Sequence, residues 1–243
     1  MRKTIAGIIL SAAVLAGSVG YTEAPPMEIT ADEIQYNSVT QDAMAKGHVV
    51  IKREDGIAKA EQAIYNVKQE TGKLFGGVNA QKGDQTLVCD ELTVVNKNHI
   101  IATGGNVVVT KGGSTFNAPG AEYFDDRQFL QSIGDWATMT KEDGSSLSAG
   151  YINYDMKAGR AQAQDNVKIN APSKNLRGAG DHAEYIDLKD GHNSSVITLT
   201  GNAWAIQDGN RIVGEKLVFN SDTQAGNSGE ASGKVIMVMP PST

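Results

Sequence analysis

A large, mostly aromatic residue returns along this chain at nearly constant steps. Tyr36, Tyr65, Val94, Tyr123, Tyr154, Tyr185 and Phe219 are separated by 29, 29, 29, 31, 31 and 34 residues. A second landmark, Gly-x-Val or a relative of it, follows each one: Gly47-His48-Val49, Gly76-Gly77-Val78, Gly105-Asn106-Val107, Gly134-Asp135-Trp136, Asp165-Asn166-Val167, Gly201-Asn202-Ala203 and Gly233-Lys234-Val235. Two landmarks that drift together define about seven copies of one unit, spanning residues 29–239. A unit this short cannot bury a face alone, so the copies must stack on one another.

The pattern inside each copy is that of strands. Two residues before the aromatic stand Ile34, Ala63, Leu92, Ala121, Ile152, Ala183 and Leu217, on the same strand face as the aromatic. Five before it the residue is small: Ala31, Ala60, Cys89, Ala118, Ala149, Gly180 and Gly214. That position has the opposite parity, so one extra residue must restore the phase. Asp32, Glu61, Asp90, Asp181 and Glu215 occupy that place, which predicts a bulge or corner there. No helical period competes after residue 28. The fold class expected is all-β, with about seven two-strand repeats and no linker dividing them.

Net charge is −6 with no basic block, which argues against a nucleic-acid partner. Aromatics make up 6% of the residues while glycine reaches 27, a composition suited to a thin layered β structure. The one cysteine, Cys89, has no partner for an internal disulfide and falls at the small inward position, where a buried, inert thiol is expected. Residues 1–20 read as a cleaved export signal: Arg2 and Lys3 precede an apolar run, Ile5–Ala16, and Ser18-Val19-Gly20 supplies small residues before Tyr21. Its removal takes the net charge from −6 to −8. Residues 21–28 form a lead containing Pro25-Pro26, and 240–243 a short tail.

No catalytic or metal-binding constellation emerges. His48, His99, His182 and His192 sit at unrelated offsets in their repeats, without metal-ligand spacing. Asp125-Asp126 and the Asp187/Asp190 pair have turn composition. An enzyme is therefore not expected, and neither a cofactor nor a metal is called for. One reading from another class is a parallel β-helix that cleaves or adheres to polysaccharide, with Asp125 and Asp126 as its carboxylates. The function-bearing feature is instead the inward apolar stripe, which is either a packed core or a groove for something long and hydrophobic.

The run Ile29-Thr30-Ala31-Asp32-Glu33-Ile34-Gln35-Tyr36, followed by Ala45-Lys46-Gly47-His48-Val49-Val50-Ile51, closely resembles the OstA-like repeat of the LptA family. Gly104-Gly105-Asn106-Val107-Val108-Val109, Ala183-Glu184-Tyr185 and the ending Gly233–Pro240 are similar to further copies. The resemblance covers 29–239 and implies an open, twisted antiparallel β-jelly roll in the periplasm. It implies a lipopolysaccharide carrier that shields lipid A acyl chains in a groove of Ile34, Tyr36, Val49, Ile51, Tyr65, Val78, Leu92, Val107, Tyr123, Trp136, Tyr154 and Val167. It also implies head-to-tail stacking through end strands that carry Ile29, Ala31, Val235 and Met237. The partners it implies are LptC-like inner-membrane and LptD-like outer-membrane proteins, and an LptC-like anchored subunit is the alternative if Ile5–Ala16 is retained. On this reading, Val107→Asp is expected to spoil lipid capture without unfolding the chain. Pro119 and the insertion Lys189–Ser195 depart from the repeat and put strand pairing there in question.

Overall fold

A computed structural model describes residues 27–53, 56–96, 98–188, 195–222 and 226–239. The segment read as an export signal, most of the lead, the bulk of the 189–195 insertion and the tail lie outside the described residues. The described chain falls into two compact units, 27–133 and 134–239.

The first unit contains β1 (Glu28–Thr30), β2 (Glu33–Asn37), β3 (Asp42–Arg53), β4 (Gly56–Asn66), β5 (Thr71–Lys82), β6 (Gln85–Asn96), β7 (His99–Lys111), β8 (Ser114–Phe124) and β9 (Phe129–Ile133). From β3 onward each strand pairs antiparallel with the next, and both β1 and β2 pair with β3. The second unit contains β10 (Ala137–Thr140), β11 (Ser146–Ala149), β12 (Tyr151–Asp155), β13 (Arg160–Ala171), β14 (Leu176–Asp187), β15 (Ser195–Gln207), β16 (Asn210–Asp222), β17 (Gly226–Ser232) and β18 (Ile236–Val238). There β10 pairs β11, and β11 and β12 pair β13. The ladder then runs from β13 to β17, with β18 also on β16. One 3-10 turn, Pro172–Lys174, joins β13 to β14. The architecture is all-β, as the repeat predicts, and of the antiparallel β-jelly-roll type that the family resemblance implies. Its antiparallel registers exclude the parallel β-helix.

The predicted corner recurs along both ladders. In β3 and β4, Lys46 pairs Gln62 and Val49 pairs Ala60, so Gly47-His48 opposes Glu61 alone. The same jump occurs between β5 and β6, β13 and β14, and β15 and β16. Burial along β4 shows the phase repair directly: Ala58 and Ala60 are buried, Glu61 and Gln62 are exposed, and Ala63 and Tyr65 are buried again. Most corners set a glycine against an acid of the neighbouring first strand. An ideal Cβ on Gly47, Gly76, Gly201 or Gly233 would strike Asp32, Glu61, Asp181 or Glu215.

Where the repeat is weakest the corner becomes a break. β1 and β2 separate at Ala31-Asp32, β9 and β10 at Gly134-Asp135-Trp136, β11 and β12 at Gly150, and β17 and β18 at Gly233-Lys234-Val235. The fifth repeat keeps the acid–glycine contact with its members exchanged. Its glycine is Gly150 on the first strand and its acid is Asp165 on the second, and the Gly150 amide donates to the Asp165 carbonyl at 2.7 Å. In the first repeat the equivalent bond runs from the Asp32 amide to the Gly47 carbonyl, 2.9 Å.

Pro119 does not interrupt β8. It lies in the register jump between Thr103–Gly120 and Val107–Ala118, opposite the three-residue bulge Gly104-Gly105-Asn106. A bulge leaves backbone groups out of the ladder, so the missing proline N–H costs little there. Pairing also survives the sixth-repeat insertion, since Asp187 pairs Ser195 directly across it.

Candidate functional site

The stripe predicted to face inward is buried in both units. In the first, Val49, Ile51, Tyr65, Val78, Leu92, Val107 and Tyr123 are buried, and in the second Tyr154 and Val167 are. Fully burying one such side chain is worth roughly 1.5–3 kcal/mol. A one-residue slip would turn the whole set out to water, so this stripe fixes the strand registers. Between these residues the interior is filled by small side chains such as Ala45, Ala58, Ala63, Ala102, Ala118 and Ala163.

Three groove residues lie elsewhere. Ile34 and Tyr36, on β2, are 49% and 59% exposed, at the end of the first unit where β2 has its register with β3. Trp136 is 37% exposed while its neighbour Ala137 is 1% exposed. The fourth corner holds three residues, Gly134 to Trp136, rather than the two of Gly47-His48, and this moves the inward position on by one. Of the end-strand residues, Ile29 and Ala31 are half-buried, whereas Val235 and Met237 are exposed together with Ile236, Val238 and Met239.

Burial also sets the electrostatics of the stripe. It is the main cause that pushes the phenols of Tyr65, Tyr123, Tyr154 and Tyr185 above the ordinary tyrosine value. The Tyr123 hydroxyl donates to Asp125 Oδ1 at 3.1 Å, which gives that turn aspartate a structural partner. Cys89 is 3% exposed and burial pushes its thiol up to about 12. It is therefore almost wholly un-ionised at neutral pH. Native protein is expected to resist a thiol-alkylating reagent at a pH of about 7.5 and to react stoichiometrically in denaturant. Rapid labelling of the folded chain would contradict an inward Cys89.

The histidines do not converge. His48 is exposed and its Nδ1 lies 2.8 Å from Asp32 Oδ2. That hydrogen bond, followed by the charges of Asp32 and Glu61, raises its pKa. His99 is stacked on Phe124 at 4.4 Å between ring centres, and its Nε2 lies 2.6 Å from Glu122 Oε1. Arg127 covers the other parts of this cluster, 4.0 Å from the Phe124 ring centre and 5.6 Å from that of Phe129. His182 is exposed and His192 lies outside the described residues. Among the described residues, no group of three or more His, Cys, Asp or Glu side chains is placed to hold a metal ion.

The profile of the LptA/(LptD N-terminal domain) LPS transport proteins matches residues 87–225, from the start of β6 to beyond β16. The chain belongs to this family. The match covers more than half of the 243 residues and includes copies of the repeat from both units. Among solved structures the chain is similar to LptH of Pseudomonas aeruginosa, described as the LptA-homologous periplasmic component of the conserved lipopolysaccharide transport device. The identity is 14%, the match covers 89% of this chain and 96% of that one, and the TM-score is 0.17. The family assignment rests on the profile match and not on that superposition. No curated protein matches the chain. The family is one of transport proteins, not enzymes.

Proposed function

We propose that the chain is a periplasmic carrier of lipopolysaccharide whose inward stripe shields the acyl chains of lipid A. The observation that supports this most directly is the stripe's composition: large apolar side chains alternate with Ala and Gly on one parity of the long strands. Hydrocarbon removed from water gains about 0.8 kcal/mol per CH₂, so a few displaced contacts along such a stripe are offset by one acyl chain.

The two ends of the array suit stacking onto neighbours. β2 presents Ile34 and Tyr36, and β18 presents Ile236, Met237 and Val238, all exposed. Apolar edge strands are an association hazard in a solitary protein and a joint in an assembly. Partners at these joints would be further copies of the chain, an LptC-like protein at the inner membrane and an LptD-like protein at the outer membrane.

The test is photocrosslinking in living cells. A probe replacing Tyr36, which is already large and exposed, is expected to give a lipopolysaccharide adduct, and a probe at Met237 a protein adduct. A folded, exported protein that yields lipid from neither Tyr36 nor Tyr65 would overturn the carrier reading.

A further inference from the structure

The inward stripe of the second unit has a gap in its cover, and a charged side chain lies in that gap. The residue at the aromatic landmark and the one two before it are buried in the second to fifth and the seventh repeats. In the sixth repeat, Ala183 and Tyr185 are only half-buried. The inward place just beyond the corner is buried in β3, β5, β7 and β15, as Ile51, Ala80, Val109 and Ala205. In β13 it is Ile169, which is half-buried and continues a half-buried row, because Met139 pairs Leu147 and Leu147 pairs Ile169.

These two half-buried patches face each other. Lys141 has the parity of Ala137 and Met139, one place beyond the row of Thr140, Ser146 and Asn170. Tyr185 pairs Ala161, nine residues back along β13 (170 − 161), a span of roughly 30 Å in a straight strand. Lys141 Nζ nevertheless lies 5.6 Å from the Tyr185 ring centre. Two side chains cannot bridge that span, so β13 turns at its bulge between Gln164 and Val167 and brings its arms face to face. The contact crosses the opening between them. Lys141 is exposed, yet desolvation lowers its pKa against the opposing charges of Asp143 and Asp187, so the ammonium sits in a cleft and not on an open surface. Its backbone is held by the turn: the Lys141 amide donates to the Ser145 carbonyl at 2.8 Å, the Gly144 amide to the Lys141 carbonyl at 3.0 Å, and the Ser145 amide to Asp143 Oδ1 at 2.9 Å. What can move is the flexible four-carbon stem.

We propose that Lys141 is a built-in plug: it holds the face of Tyr185 that a guest acyl chain would cover, and an acyl chain enters the second unit by displacing it. This rests on the carrier reading above and adds the point at which the stripe opens and the residue that guards it. A resident competitor lowers apparent affinity by the fraction of time for which it leaves the ring free. Two probes are titrated into the mature protein: rough lipopolysaccharide, and a fluorescent monoacylglycerol, which is uncharged and offers Lys141 no ionic contact. K141A should bind the monoacylglycerol about tenfold more tightly than the parent, mainly through faster association. K141R keeps a cation that stacks on aromatic faces and should stay within about twofold of the parent. On the unaltered protein, bound lipopolysaccharide should raise the acetylation of Lys141 severalfold, read by mass spectrometry, which keeps the test open if K141A fails to fold. Unchanged or weaker monoacylglycerol binding by folded K141A overturns the plug. So does a Lys141 whose acetylation bound lipopolysaccharide lowers or leaves unchanged, since a displaced side chain must become more reactive. A parent protein that binds no lipopolysaccharide overturns the carrier reading, whereas tighter monoacylglycerol binding by K141A would still support the plug.

Discussion

Val107→Asp is expected to cost on the order of 3–5 kcal/mol of stability, a large share of what holds a domain of this size together. Val107 is fully buried at the third corner, between the three-residue bulge and the continuation of β7. A carboxylate there loses its hydration and gains no partner, so its pKa in the folded chain rises above the ordinary value of about 3.9. The sign follows from that direction. The penalty is complete at pH values above the raised folded pKa, and it fades as pH falls toward the unfolded value. Urea unfolding of Val107→Asp at a pH of about 7 and again near about 4 is the measurement, with Val107→Ala as the control for lost packing alone. The alanine variant should lose about 1–2.5 kcal/mol with no such pH dependence. Sequence reasoning expects an aspartate here to spoil lipid capture and spare the fold. Complete burial reverses that order: the fold should fail first. A Val107→Asp protein as stable as the parent would mean that water already reaches position 107 in the lipid-free chain.

Much of this structure was legible because the information lies in period and parity, which a sequence displays directly. The strand ends at the aromatic landmarks, the burial of Val49, Val78, Leu92, Val107 and Val167, and the corner beside Asp32, Glu61 and Asp90 all follow from counting residues. What escaped required register. Trp136 looks inward because it stands where other repeats have Val. The extra corner residue that moves the inward place to Ala137 is visible only once β9 and β10 are laid on their partners. Gly150 and Asp165 look like two separate failures of the pattern, yet across the pairing they are a single exchange that preserves one contact. Pro119 looks disruptive until its neighbour across the ladder is found to be a bulge. Ile34 and Tyr36 obey the inward parity but are exposed, because parity assigns a face and says nothing about whether another strand covers it.

Gly76→Ala should destabilise the first unit by about 2–4 kcal/mol, and its neighbour provides an internal control for the cause. Gly76 and Gly77 both have left-handed backbones, with φ of +85° and +82°. An alanine at either is therefore strained by roughly 1–2 kcal/mol. They differ in what the new methyl meets. At Gly77 it enters open space, with nothing within 4 Å. At Gly76 it would lie 2.7 Å from Glu61 Cβ, an atom tied to the β4 backbone that cannot rotate away. Either the corner opens or β4 shifts, and both moves disturb the buried Ala60 and Ala63 beside it. The difference between the two alanine variants in thermal or urea unfolding therefore isolates the acid–glycine contact from backbone strain. Glu61→Gly in the Gly76→Ala background removes the struck atom and should recover the collision part of the loss, seen as a favourable coupling in a double-mutant cycle. Equal losses at positions 76 and 77, with no recovery from Glu61→Gly, would show that only the left-handed backbone requires glycine there. The acids along the corners would then be explained by their hydrogen bonds to the second strand, such as Asp32 Oδ2 with His48 Nδ1 and Asp181 Oδ2 with Asn202 Nδ2, and not by packing against the glycine.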